Sequence, residues 1–158
     1  MDFHIGDTVI HSTHGLGEIV HIEEKVIHDR PTNCYVVRTH ELTIWIPIND
    51  LQQHSLRMPT LPDEFIRLFS ILTSPGEALP EDRVLRKDQL IAHMKDGQLA
   101  SICHVVRDLT HFKRIKKLND QEKSILERAM NSLLIEWIYS LGVSQYQAQQ
   151  AMTEMLGG

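Results

Sequence analysis

Apolar residues in this chain change their spacing once, near residue 60. Before that point they form short runs of strand length, and after it they recur every three or four positions. Strand patterns cover Asp7–His11, Gly17–Glu23 with an extension toward Ile27, Asn33–Thr39 and Leu42–Pro47. Tyr35, Val37 and Thr39 alternate with Val36 and Arg38, the period of a half-buried strand. Turns are expected at His14–Gly17, at Asp29–Asn33 and at His40-Glu41. In His14-Gly15-Leu16-Gly17, glycine reaches positive φ at no steric cost, which suits a tight, twisted reversal. Four or five short strands in fewer than about 60 residues predict a small, strongly bent Tudor- or SH3-like β-barrel.

Met58-Pro59-Thr60-Leu61-Pro62 is a stiff break and divides the chain into residues 1–58 and 59–158. Pro62 suits a first helical turn, and Asp63 and Glu64 complement its dipole. Phe65, Leu68, Phe69 and Leu72 carry that helix to Ser74-Pro75-Gly76. A second helix is predicted over Glu81–Lys95, with Val84, Leu85, Leu90, Ile91 and Met94 as its apolar residues. A third follows from Gln98 to about Lys113 on a stripe of Leu99, Ile102, Val105, Val106 and Leu109. Asn119-Asp120-Gln121-Glu122 is a capping box opening the longest helix, which Gly142 ends. Ser144 caps a short final helix. The fold class is therefore segregated α+β, an N-terminal barrel followed by a bundle of about five helices.

Charge narrows the function. Net charge is −5, with eight acidic and four basic residues in 1–58 and thirteen and twelve in 59–158. A protein that grips nucleic acid unaided needs an excess of Lys and Arg. Any such contact belongs in the second half and depends on a partner for proximity. No apolar run reaches the ~20 residues that span a bilayer, and Met1-Asp2-Phe3-His4 has no signal-peptide character. Cys34 and Cys103 form no CxxC motif, and are two reduced buried thiols or one disulfide. The expected setting is the cytoplasm.

The chain resembles the CarD family of bacterial RNA-polymerase-binding transcription regulators. The residues that carry the resemblance are Phe3-x-Ile5-Gly6-Asp7-x-Val9, His14-Gly15-x-Gly17-x-Ile19 and Leu42-Thr43-Ile44-Trp45-Ile46-Pro47. In the helical half they are Asp96-Gly97, Val105-Val106-Arg107-Asp108-Leu109 and Leu118-Asn119-x-x-Glu122-Lys123. The first half also resembles the polymerase-interacting domain of the transcription-repair coupling factor. The resemblance implies a non-enzymatic role. The barrel would bind a lobe of the polymerase β subunit, and the helical domain would touch promoter DNA at the upstream edge of the melted bubble.

In Thr43-Ile44-Trp45-Ile46-Pro47 the two isoleucines point one way and Trp45 the other. With the isoleucines in the core, Trp45 lies outside, on a strand that Pro47 marks as an edge. Trp45 then either anchors a partner or packs under the helical domain. The resemblance implies strand addition at this edge, which makes Lys25, Trp45, Ile46 and Pro47 the polymerase-binding candidates. Some family members carry Arg at the position of Trp45. Lys25 is the position of a basic family residue, or else a solvated strand charge.

Arg83 falls where many members hold a tryptophan that wedges into the minor groove. Arginine does not unstack bases as an aromatic wedge does, but it enters a narrow groove or binds phosphate. Arg86 and Lys87 match the basic residues that follow. A second basic group, Lys113, Arg114, Lys116 and Lys117, ends the third helix. Both groups are DNA-binding candidates, and in each a solvated charged face is the plain alternative.

Metal and catalytic signals are weak. His11 and His14 lack a third ligand at a fitting spacing, and Cys103-His104 project about 100° apart on a helix. There is no GxSxG, P-loop or clustered carboxylate pair. No cofactor, small-molecule substrate or membrane is expected. The competing class is a protein-interaction module of the same fold that has lost its DNA wedge and bridges polymerase to another protein.

Overall fold

The computed structural model describes residues 3–49 and 55–157, and the chain divides into two compact units, residues 1–59 and 60–158. The first unit is one antiparallel sheet of β1 (Thr8–His11), β2 (Gly15–Ile27), β3 (Arg30–Thr39), β4 (Thr43–Pro47) and β5 (Leu56–Arg57). Its strand order is β4-β3-β2-β1-β5. Strand β2 is long enough to pair with β1 at its start and with β3 from Gly17 onward, and a bulge between Ile19 and His21 bends it. The sheet wraps around Phe3, Val9, Ile19, Tyr35, Val37, Ile46 and Leu56, with Ile44 and Ile48 packed against them. Tyr35 meets Phe3 edge-on at 5.6 Å, and its hydroxyl accepts the Phe3 amide at 3.1 Å.

Two glycine and turn assignments change. Gly15 (φ +77°) has the left-handed backbone expected, but Gly17 does not need it. Gly17 sits inside β2 between Val9 of β1 and Thr39 of β3. A Cβ there would lie 2.9 Å from Val37 Cγ1 and 3.0 Å from the Arg38 carbonyl oxygen, so close strand approach selects glycine. The β2–β3 reversal is not a five-residue turn. It is made by His28 (φ 49°) and Asp29 (φ 63°) alone, with Ile27 paired to Arg30 and Val26 to Pro31. Positive φ at both central residues matches the twist of the flanking strands.

The second unit holds α1 (Pro62–Thr73), α2 (Arg83–Lys95), α3 (Leu99–Ile115), α4 (Asp120–Leu141) and α5 (Gln145–Met155). Pro62 occupies the first turn of α1, and Asp82 caps α2 by accepting the Val84 and Leu85 amides. Capping boxes open α4 (Asn119 with Glu122) and α5 (Ser144 with Gln147). Gly142, at φ 64°, closes α4 in the left-handed form. The predicted α3 stripe of Leu99, Ile102, Val105, Val106 and Leu109 is buried, and it meets Phe65, Leu72, Leu90, Leu133 and Trp137 in one core. Trp137 stacks on Phe69 at 4.8 Å. Cys34 and Cys103 are both free thiols, each buried in a different unit. Burial pushes the Cys103 thiol up to about 12, with the Glu136 charge adding to the effect.

Candidate contact surfaces

The first surface is the face of the sheet opposite the core. Tyr35 and Val37 join the core, and Cys34 and Val36 alternate onto the opposite face, where they are also buried. Strand β3 is thus covered on both faces over residues 34–37 rather than half-buried. The register sets Trp45 beside Val36 and Glu23 beside Cys34. Trp45 is on this face, 37% exposed, and is held there by β2. Its Nε1–H donates to Glu23 Oε1 at 2.5 Å, and Lys25 Nζ lies 3.9 Å from the ring centroid. Ile44 and Ile46 belong to the core side, as the alternation demands.

Among the described residues, β4 has β3 on one side and no strand on the other, so it presents an edge. Ile46 needs a correction as a contact residue. It is 8% exposed in the core. The ladder that bonds Ile48 to Asn33 and Leu42 to Thr39 turns the main chain of Ile46 toward Tyr35 of β3, so the open edge is made by Thr43, Trp45 and Pro47. Burial pushes the Cys34 thiol up, while the Lys25 charge pulls the other way and Glu23 adds to the rise.

The second surface is the end of the helical unit where α2 starts, α3 ends and α4 starts. These three ends meet around Arg86. Its Nε donates to Glu122 Oε2 at 2.5 Å, its Nη1 donates to the Pro80 and Glu81 carbonyls at 3.1 and 3.2 Å, and its guanidinium lies 4.9 Å from the Phe112 ring. Arg86 is only 7% exposed. This corrects its place among the DNA-facing cations, because its donors are turned inward. Val84 and Leu85, expected among the apolar positions of α2, are instead 65% and 60% exposed. Spacing holds the clue: Arg86 lies one helical turn before Leu90, the buried apolar residue of α2.

Arg83, Lys87, Lys113, Arg114, Lys116 and Lys117 are exposed. Arg114 also donates to the Leu156 carbonyl at 2.6 Å, a cation at the end of α5. Ile115, within the basic run, is 81% exposed. The surface thus interleaves cations with Val84, Leu85 and Ile115, apolar residues that periodicity alone does not single out as contact residues.

Family models match both units. CarD-like/TRCF RID domain covers residues 3–58, and CarD, C-terminal domain covers residues 67–153. The chain belongs to the CarD family. It is 30% identical over 151 residues to YdeB of Bacillus subtilis (strain 168), a candidate transcription factor, covering 92% of this chain and 96% of that protein. CarD-family proteins are transcription proteins rather than known enzymes, and the first domain is of the polymerase-interacting type.

The CarD motif residues of the helical half are structural. Asn119 and Glu122 form the α4 capping box, and Glu122 also holds Arg86. Arg107 Nε donates to Asp108 Oδ1 at 2.9 Å, and that oxygen also accepts the Glu77 amide at 2.9 Å. Among the described residues no group of three or more His, Cys, Asp or Glu is placed to hold a metal ion, and no helix is long and apolar enough to cross a membrane.

Proposed function

We propose that this CarD-family protein is a cytoplasmic transcription regulator that binds the β subunit of RNA polymerase through residues 1–58. Residues 59–158 contact promoter DNA and change open-complex stability. The observation that carries this reading is the edge of β4 with Trp45 clasped beside it, in a domain of polymerase-interacting type. A partner strand added to this edge pairs with the main-chain groups of Thr43 and Trp45, which alternate away from β3. Trp45, Lys25 and Pro47 then provide the side-chain selectivity.

Support for DNA contact comes from Arg83, Lys87, Lys113, Lys116 and Lys117 around one end of the helical unit. Arg83 binds phosphate or enters a narrow groove, and Val84 or Leu85 supplies the apolar contact that an arginine lacks. The acidic chain binds DNA weakly alone, and polymerase supplies the effective concentration. The exposed Val84, Leu85 and Ile115 also favour a second reading, in which this end holds another protein.

Open-complex kinetics with and without the protein test the proposal. Arg83→Ala is expected to leave polymerase binding intact, change open-complex lifetime, and lower the slope of log lifetime against log salt by about 0.9. A wild-type protein that alters neither lifetime nor footprint rules out the DNA role and leaves the protein-bridging reading.

A further inference from the structure

We propose that Arg86 is a positioning residue: with Glu122 it fixes the α1–α2 connection so that the start of α2 meets DNA as a rigid element. This rests on the reading that the start of α2 touches DNA. Residues 74–82 join α1 to α2 and deliver Arg83, Val84, Leu85 and Lys87. The connection has no regular structure of its own, so its shape depends on what grips its main chain.

Two buried charge pairs do so from opposite ends. Near α2, Arg86 holds the Pro80 and Glu81 carbonyls while bound to Glu122. Near α1, the Asp108 carboxylate holds the Glu77 amide while bound to Arg107. Between α1 and Glu77, Gly76 lies so close to His111 that a Cβ would fall 2.7 Å from the His111 Cβ. Glu122 is itself immobilised, because its Oε1 accepts the Asn119 amide at 2.9 Å in the capping box of α4. The four anchoring side chains, Arg86, Arg107, Asp108 and Glu122, are all buried.

A buried ion pair of this kind is a poor source of stability, and its role here is to hold one conformation of the connection. The guanidinium is used on two edges, Nε donating to the carboxylate and Nη1 to two carbonyls, a planar fork that lysine cannot reproduce. Arg86 therefore acts on DNA through Arg83, Val84, Leu85 and Lys87. Rigid presentation lowers the ordering cost of contact.

Glu122→Gln removes a negative charge from this end, and simple electrostatics would strengthen phosphate binding. Positioning requires the opposite. Glutamine keeps the capping box of α4. Arg86→Met combined with Glu122→Gln removes both charges and leaves no orphaned ion.

Full-length variants are bound to RNA polymerase on a forked promoter DNA, with complex lifetime measured across salt concentration. Amide exchange of residues 77–85 is measured in the free proteins. The expected result is a lifetime about tenfold shorter in both variants, a salt slope equal to wild type, and exchange at least about tenfold faster in that segment. A slope about 0.9 lower in the double variant means that Arg86 itself touches phosphate and overturns the proposal. Longer lifetime in Glu122→Gln, or unchanged amide exchange in either variant, overturns it equally. If both variants match wild type in lifetime while Arg83→Ala does not, positioning fails and the DNA reading stands. If the wild-type protein leaves the fork complex unaffected, the DNA reading fails and takes the positioning role with it.

Discussion

Replacing Trp45 tests the polymerase surface at its centre. Roughly 60% of this side chain is covered, packed against its cross-strand neighbour Val36 and under Lys25. An indole offers about 150–250 Å², so roughly 100–150 Å² is covered, and at about 25 cal/mol per Å² its removal costs at most about 2.5–4 kcal/mol of fold stability. Alanine retains Cβ and the edge strand relaxes, which brings the expected loss to about 2 kcal/mol. That is a large share of what a unit of some 60 residues has to spare.

Trp45→Phe is the cleaner probe. It keeps a ring under Lys25 and loses the N–H that binds Glu23, an exposed hydrogen bond of about 0.5–1.5 kcal/mol. A central interface tryptophan contributes about 2 kcal/mol or more to binding, or roughly a 30-fold change in Kd. Titration of an isolated β-subunit lobe with each full-length variant, alongside calorimetric melting, separates the two effects. Trp45→Ala is expected to weaken binding about 30-fold and Trp45→Phe about 3- to 10-fold. A folded Trp45→Ala protein that binds within about twofold of wild type refutes the anchor role and leaves Trp45 as cover for the outer face.

Two further predictions concern stability. Gly76→Ala places a methyl group 2.7 Å from His111 Cβ and Cγ, and is expected to cost about 1–3 kcal/mol and lower the melting temperature by about 5–15 °C. A melting temperature within about 1 °C of wild type would show that the connection yields freely. His11 Nδ1 accepts the Thr13 and His14 amides at 3.0 and 3.1 Å, so that nitrogen carries no proton. Burial, and secondarily the His14 charge, hold the His11 pKa below the ordinary imidazole value. Its contribution to stability is thus complete above about pH 6.5 and is lost as pH falls through the lowered pKa. His11→Asn keeps an acceptor for the amides and cannot titrate, so its melting temperature should fall less than that of wild type between pH 7.5 and pH 5. Parallel pH profiles would remove His11 from the account.

What sequence alone determined is local. The α4 capping box needs only residues three apart, the α3 stripe needs only the helical period, and the inward turn of Ile44 and Ile46 needs only strand alternation. Such features are set by neighbours along the chain, and they survive in the folded protein. Tertiary structure decided whatever depends on a partner from elsewhere. Arg86 turns inward because Glu122, 36 positions later, and the Pro80 and Glu81 carbonyls together satisfy its charge and donors, and Val84 and Leu85 are left outside. Trp45 is held by Glu23 and Lys25 across the sheet, where pairing register sets the contact. Gly17 is selected by the close approach of β3 rather than by its own backbone angles. A charged or aromatic side chain has several low-energy places to go, and only packing chooses among them.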